Sequence, residues 1–314
     1  MSELGASFDQ IVCTGVLHHL QDPAAGLSAL RDVLKPDGAM QIMVYAPYGR
    51  AGIYMLQEFC RRIGISAGER TIRELISALC TLPSGHPLQA TLNQAPELRS
   101  EAALADALLH PQDRAYSVPQ FLELIENAGL TFGRWLRQAP YSIHCGVITQ
   151  LPQWGDIARL AMEEQYAAIE LFRGTMSRHS AVVYRDDCQR SLHDVSFGGD
   201  AWIGYLPIRV SDTVCVQDRM PAEAAAVLIN RAHPYKDLFL AISAKTKKLF
   251  DAIDGLSTIA EIAEMTSSFS DRESHLCATR NFFEQLWWHD QVVFDVGTWR
   301  TEAKGRGGDH HYQI

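Results

Sequence analysis

The sequence predicts an α/β fold with a doubly wound sheet, followed by a second, smaller α+β domain. Two observations support this prediction: a strand–helix–strand pattern near the start, and a change of pattern close to residue 190. The chain of 314 residues suits two domains of the usual size, about 100–200 residues each. We expect domains at residues 1–189 and 190–300, and a disordered, glycine-rich tail at 301–314.

The strand–helix–strand pattern occupies the first 45 residues. The apolar run at 8–14 has the length of a buried strand. Asp-Pro at 22–23 is typical of a helix N-cap and first helical position. Lys-Pro-Asp-Gly at 35–38 predicts a turn whose glycine takes a positive φ, and a second strand follows at 40–45. A right-handed crossover would make the two strands parallel neighbours.

The remaining elements follow from hydrophobic spacing and caps. In the first domain we expect helices at 52–63, 69–79, 101–109, 117–128 and 156–172, and strands at 130–136 and 179–184. In the second we expect a strand at 202–210, an alanine-rich helix at 221–232, a helix at 238–253, a short helix starting at 258, a helix at 272–288 and a strand at 291–294. Three helices with a strand pair are compatible with a winged-helix module.

Composition excludes several classes of function. The net charge of −9 argues against bulk nucleic-acid binding, which needs a positive excess. No run of 18 apolar residues predicts a membrane helix, and the first residues do not resemble a signal peptide, so we expect a cytoplasmic protein without a membrane partner. The seven cysteines are scattered and predict free thiols, and we expect no metal site.

Two sequence motifs occur together, and their order along the chain is characteristic of one protein family. FDQIVCTGVLHHLQDP at 8–23 and LKPDGAM at 34–40 resemble class I S-adenosylmethionine-dependent methyltransferases. They are similar to that family's fourth strand with the following loop and helix, and to the turn before its fifth strand, although Asp37 replaces the more usual glycine. The resemblance covers roughly residues 6–185 and implies a partial Rossmann-like sheet ending in an antiparallel hairpin. A fainter likeness of 253–262 to winged-helix modules concerns the second domain.

The resemblance implies a cofactor site at the end of the first strand. Thr14, Gly15 and Val16 would line the pocket for S-adenosylmethionine, although Gly15 could equally be a hinge. His18 and His19 are candidate catalytic bases, since an imidazole titrates near working pH. The alternative is that one histidine packs on the sheet and the other caps the loop. Adjacent side chains are expected to point apart, which argues against a shared metal.

An acceptor pocket is expected after the second strand. Tyr45, Tyr48 and Arg50 follow that strand, and the guanidinium of Arg50 could grip a carboxylate or phosphate with two nitrogen atoms. The alternative is a rigid proline turn with an exposed arginine.

Two kinds of function remain open. The first is a methyltransferase, or the C-terminal portion of one, acting on a small-molecule or peptide acceptor. The second is a non-catalytic methyltransferase-like binding or scaffold protein, and an incomplete gene product is a third possibility. The run at 8–14 is then expected at a sheet edge, where its apolar faces would pair with a second copy or a partner chain.

The family's glycine-rich loop and ribose-binding acid lie on strands that have no counterpart in these 314 residues. We therefore expect residues 1–314 alone to bind S-adenosylmethionine weakly or not at all, because close backbone contacts to the ligand are lost. Isothermal titration calorimetry checks this expectation. A dissociation constant in the low-micromolar range would mean that another segment of the chain builds the pocket.

Overall fold

The computed structural model describes residues 5–65, 69–94, 100–188, 195–267 and 272–297. Backbone contacts divide the chain into two compact units. One comprises residues 1–143 and 152–190, and the other comprises 144–151 and 191–314. The tail expected at 301–314 lies outside the described residues, and the domain boundaries expected from the sequence remain predictions.

The first unit contains a sheet and eight helices within the described ranges. Its strands are β1 (Phe8–Thr14), β2 (Leu34–Tyr45), β3 (Leu130–Trp135) and β4 (Arg178–Arg185). Its helices are α1 (Pro23–Val33), α2 (Ala51–Arg62), α3 (Glu69–Leu79), α4 (Pro87–Gln94), α5 (Glu101–Leu109), α6 (Val118–Asn127), α7 (Trp154–Ala158) and α8 (Met162–Arg173).

The strand order is β1-β2-β4-β3. β1 runs parallel to β2, whereas β4 is antiparallel to both β2 and β3. A mixed sheet with a crossover helix and an antiparallel hairpin is the architecture expected from the resemblance, so the predicted α/β fold is confirmed. β1 lies at one end of the sheet, as expected.

The crossover helix α1 begins as predicted. The Asp22 carboxylate accepts a hydrogen bond from the backbone N–H of Ala25, and Pro23 occupies the first turn. Because an oxygen acceptor satisfies one of the free N–H groups of that turn, the helix starts at a defined residue. Leu27 and Leu30 then bury one face of the helix.

The expected turn at 35–38 is instead part of β2, where the pairing with β1 is irregular. The expectation of a positive φ at Gly38 is wrong, since Gly38 is not among the glycines with that conformation. A Cβ there would lie 2.9 Å from the backbone oxygen of Asp9, so the glycine is needed for close approach. Lys35 forms a salt bridge with Asp9 at 2.8 Å beside this point.

The long helix expected at 156–172 is two helices, α7 and α8. Ala161 is extended, with φ −59° and ψ 152°, and interrupts the helical path. The side-chain amide of Gln165 donates to the carbonyl oxygen of Leu160 at 2.9 Å and so satisfies a carbonyl at the break.

A buried hydrogen-bonded chain joins α8 to α6 and β4. One carboxylate oxygen of Glu170 accepts from the backbone N–H of Val118 at 2.8 Å, and the other lies 2.9 Å from Nε2 of His179. Nδ1 of His179 lies 2.7 Å from the hydroxyl of Tyr141, on which the ring of Trp135 stacks. Because all these groups are buried, water cannot replace a hydrogen bond that is lost among them.

The second unit contains two small sheets and three helices among the described residues. Strands β5 (Leu206–Arg209) and β9 (Val292–Asp295) form one antiparallel pair. The other sheet has the order β6 (Thr213–Val216), β7 (Ala226–Asn230) and β8 (Phe239–Ile242). The helices are α9 (Ala244–Asp251), α10 (Ile259–Thr266) and α11 (Arg272–Trp288). Whether α9, α10 and α11 with the β5–β9 pair form a winged helix remains a prediction.

Three expectations for the second unit were wrong. The alanine-rich segment at 221–232 contains the central strand β7, because burial between β6 and β8 outweighs the helix propensity of alanine. The single helix expected at 238–253 is β8 followed by α9, which begins at the N-cap Ser243. A 3₁₀ turn at 201–204 precedes β5 where one longer strand was expected. Within the described ranges, each helix is too short or too polar to cross a membrane.

Glu170→Ala tests the buried chain. The substitution leaves the N–H of Val118 and the imidazole of His179 without their acceptor, which should lower the free energy of unfolding by about 3 kcal/mol. Chemical denaturation measures the change. Glu164→Ala, on the exposed face of the same helix, is the matched control and should change stability by less than about 0.5 kcal/mol. Equal losses in both variants would contradict a structural role for the chain.

Candidate functional site

The end of β1 is open to solvent. Gly15 has a φ of +75°, and a Cβ placed on it would meet nothing within 4 Å. Thr14 and Val16 on either side of it are exposed. Ligands of doubly wound sheets bind beyond the carboxyl ends of the strands, so these three residues lie where the sequence places the cofactor. Their contact with a cofactor remains a prediction.

A 3₁₀ turn at 17–19 follows and brings the two candidate histidines together. The ring centroids of His18 and His19 lie 4.2 Å apart, and both rings pack against Tyr45, at 3.9 and 5.9 Å. The expectation that the two side chains point apart is therefore wrong, because the aromatic ring at the end of β2 attracts both of them.

His18 is almost completely buried, with 1% of its surface exposed. Neither of its ring nitrogen atoms has a hydrogen-bond partner within the part of the chain that the structure describes. Burial, with further contributions from His19, Arg50 and His110, lowers the pKa of His18 to about 4. At neutral pH His18 is therefore a neutral imidazole with an unused lone pair.

His19 is half-buried and has a defined tautomer. Its Nδ1 lies 2.8 Å from the carbonyl oxygen of Gln112, and because a carbonyl oxygen only accepts, Nδ1 carries the hydrogen. Nε2 then holds the lone pair. The ring of His110 packs on His19 with centroids 4.0 Å apart and restricts its rotation.

Arg50 directly precedes α2 and is buried, with 5% of its surface exposed. Its guanidinium carbon lies 3.5 Å from the centre of the Tyr45 ring. Nη2 lies 3.3 Å from a carboxylate oxygen of Asp113, and Nε donates to the hydroxyl of Tyr54 at 3.2 Å. The alternative of an exposed arginine is wrong. Binding of an anionic acceptor by Arg50 remains a prediction. One of its nitrogen atoms already contacts Asp113.

Asp113 is a residue of the site that the sequence alone did not indicate. Its side chain is 2% exposed, and the oxygen that faces Arg50 also accepts from the amide of Gln57 at 2.9 Å. The other oxygen, Oδ1, is buried without a partner within the described ranges. No motif surrounds this aspartate. The sequence offered one indirect indication: an arginine at the end of a buried strand needs a carboxylate partner from elsewhere in the chain.

Asp113 lies in a segment, residues 110–116, that crosses the ends of β1 and β2; we call it the crossing segment. Its backbone N–H groups at Arg114 and Tyr116 donate to the carbonyl oxygens of His18 and Tyr45, at 3.1 and 2.8 Å. Together with the Gln112 contact, these bonds fix both histidines and Tyr45 against one stretch of chain.

The two tyrosines expected in the acceptor pocket differ in their surroundings. Tyr45 lies under Arg50, and burial raises the pKa of its phenol. Tyr48 is 40% exposed. Tyr54, which the sequence reasoning did not assign to the site, is more strongly buried, and this burial raises its pKa to about 12. The phenols of Tyr45 and Tyr54 therefore stay protonated at neutral pH.

Comparison with known proteins finds similar sequences and folds. Residues 1–40 match the family model described as a methyltransferase domain. A curated relative, an uncharacterized protein of Synechococcus sp., is 38% identical over 143 residues, which cover 42% of this chain and 33% of the relative. The chain thus spans about a third of the length of that relative.

Two solved structures have the same fold. They are PKMT2 from Rickettsia typhi in complex with AdoHcy, and PKMT2 from Rickettsia typhi. Each has a TM-score of 0.60 and 14% identity, and each match covers 94% of this chain and 59% of the other. The resemblance to class I methyltransferases stated from the sequence is confirmed, and the sheet has the Rossmann-like order of that fold.

Arg50→Met tests the buried ion pair. Removing the guanidinium leaves the carboxylate of Asp113 buried without its charged partner, and the free energy of unfolding should fall by about 3 kcal/mol. The double variant Arg50→Met/Asp113→Leu should lose less than the sum of the single losses, because neither charge then remains unpaired.

Thermal and urea denaturation give both values. Arg62→Met, on the exposed surface of α2, is the matched control and should stay within about 0.5 kcal/mol of the wild type. Additive losses in the double variant would show that Arg50 and Asp113 act independently.

Proposed function

We propose that this chain carries the acceptor side of an S-adenosylmethionine-dependent methyltransferase acting on a small-molecule or peptide acceptor. The observation that supports this most is the convergence of His18, His19 and Tyr45 beyond the carboxyl ends of two parallel strands, in a sheet ordered as in the class I fold. The sequence match to the methyltransferase domain falls on β1, α1 and the start of β2.

Thr14, Gly15 and Val16 would contact the cofactor. A glycine with positive φ and open space above it lets a ligand approach the backbone closely, which the two exposed neighbours also permit. The AdoHcy bound to PKMT2 from Rickettsia typhi supports the same class of ligand here. When bound, the cofactor would supply a methyl group on a sulfonium: the acceptor's lone pair would bond to the methyl carbon as the carbon–sulfur bond breaks, and the sulfur would leave as a neutral thioether.

The chain's own contribution would be positioning and removal of a proton. His19 is the better base of the two histidines, since its Nε2 lone pair is set by the Nδ1 bond to Gln112 and its ring is less buried than that of His18. Tyr48, which is 40% exposed, would contact the acceptor. Arg50 would bind the acceptor only with those parts of its guanidinium that neither pack on the Tyr45 ring nor bond to Asp113.

A second function, binding without catalysis, is favoured by a different observation. Phe8 and Val12 on β1, together with Val16 just beyond it, are 41, 59 and 48% exposed, an apolar strip at the sheet edge that suits a partner chain or a second copy. Under this proposal the site residues stabilise the edge, and methyl transfer is absent.

Titration of the ¹⁵N-labelled chain with S-adenosylmethionine, followed by amide NMR shifts, distinguishes the two functions. We expect shifts at Thr14, Gly15 and Val16, with a dissociation constant on the order of 1 mM, an affinity of about 4 kcal/mol. AdoHcy should shift the same amides.

Two glycine variants sharpen the test. Gly15→Ala should weaken binding by about tenfold, the factor that 1.4 kcal/mol of lost contact produces. Gly255→Ala has the same φ of +75° and an equally open Cβ position in the second unit, so it controls for backbone strain. Shifts that are absent at millimolar ligand, or unchanged in Gly15→Ala, would contradict the cofactor site.

A further inference from the structure

We propose that His18, His19 and Asp113 form a binding site for a divalent transition-metal ion such as zinc. One nitrogen from each imidazole and one carboxylate oxygen lie within 4.8 Å of one another. Two imidazoles and a carboxylate suit zinc or ferrous iron rather than magnesium or calcium, which prefer oxygen ligands. Three protein ligands leave a position open for water or an anion.

The first argument comes from His18. A buried imidazole normally has its donor and its acceptor satisfied, whereas both ring nitrogens of His18 lack a protein partner within the described ranges. An ion on one nitrogen would use the lone pair that burial now leaves idle.

The second argument comes from Asp113. Its Oδ2 is held by Arg50 and Gln57 at 3.3 and 2.9 Å, while Oδ1 is buried with no partner within the described ranges. Metal-binding carboxylates are commonly oriented in this way, with one oxygen hydrogen-bonded to outer residues and the other on the ion. The pair with Arg50 thus fixes the carboxylate and leaves one oxygen for a cation.

The third argument comes from His19. Metal-binding histidines usually donate their second N–H to a carbonyl or carboxylate, which fixes the tautomer. Nδ1 of His19 donates to the carbonyl oxygen of Gln112 in this manner, so Nε2 is the ligand atom. In a tetrahedral zinc site with bonds of about 2.1 Å, ligand atoms lie about 3.4 Å apart. The three ligand atoms lie within 4.8 Å of one another, so ion binding would draw the His19 ring inward against its packing on His110.

The positive charge of Arg50 beside the site must also be balanced. Asp113 offsets one unit, and the exposed carboxylate of Asp106 also acts on His18. A divalent ion would leave a net positive site, which favours an anion or hydroxide at the open position. This inference does not rest on methyl transfer; an ion and an acceptor proton would compete for the same lone pair of His19.

Calorimetric titration of the chelator-treated chain with Zn²⁺ tests the proposal. We expect one ion per chain. Co²⁺ should give the visible d–d absorption of a nitrogen and oxygen site, without the strong charge-transfer band of a thiolate. Such a band would place the ion on cysteine and overturn the assignment.

Two variants locate the ion. His18→Phe keeps an aromatic ring against Tyr45 and removes two unsatisfied nitrogen atoms, so it should fold at least as well as the wild type without metal. His19→Ala removes a ligand from the half-buried position and serves if His18→Phe does not fold. Each should weaken zinc binding by more than about 100-fold, the upper end of the effect of losing an outer-shell group.

The control variant is His310→Ala/His311→Ala, which removes the two adjacent histidines near the end of the chain. It should bind zinc within about twofold of the wild type. Zinc binding that is lost in this variant, or that persists unchanged in His18→Phe and His19→Ala, would overturn the site. Absence of stoichiometric binding to the wild type would also overturn it.

Discussion

The buried guanidinium of Arg50 is the constraint on which the rest of the site depends. A charge at 5% exposure is tolerated only beside an opposite charge, and Asp113 supplies it from a residue 63 positions further along the chain. Because Asp113 must reach the end of β2, the crossing segment lies over the ends of both parallel strands. Its backbone then binds His18 and Tyr45, and its Gln112 carbonyl sets the tautomer of His19.

This arrangement explains the chemistry available at the strand ends. The cation of Arg50 and the burial of His18 both disfavour a second positive charge, so the imidazole of His18 stays neutral. The phenols of Tyr45 and Tyr54 also stay protonated, since burial raises their pKa values. The site therefore offers three lone pairs, from the two imidazoles and from one carboxylate oxygen. Each of them can accept a proton or bind a metal ion, so both proposals draw on the same atoms.

The sequence predicted the parts of the fold whose signals are local. The helix capped by Asp22, the parallel pair β1 and β2, and the separate strands β3 and β4 follow from caps or short apolar runs, whereas the antiparallel pairing of β3 with β4 was expected from the family resemblance. The prediction failed where distant contacts decide. The alanine-rich segment became β7 because two neighbouring strands bury Ala226 and Leu228. Asp113 was missed for the same reason, since its role depends on Arg50 and not on any nearby residue.

The sheet edge shows how fold and site are connected. At the amino end of β1, the salt bridge between Lys35 and Asp9 places charges that discourage pairing with another strand. Towards the carboxyl end, Val12 and Val16 are exposed, and no charged side chain stands between them. His18 and His19 follow β1 at this carboxyl end. An edge that is charged at its amino end and apolar at its carboxyl end favours contact with a ligand or partner at the carboxyl end, where Gly15 leaves the backbone accessible.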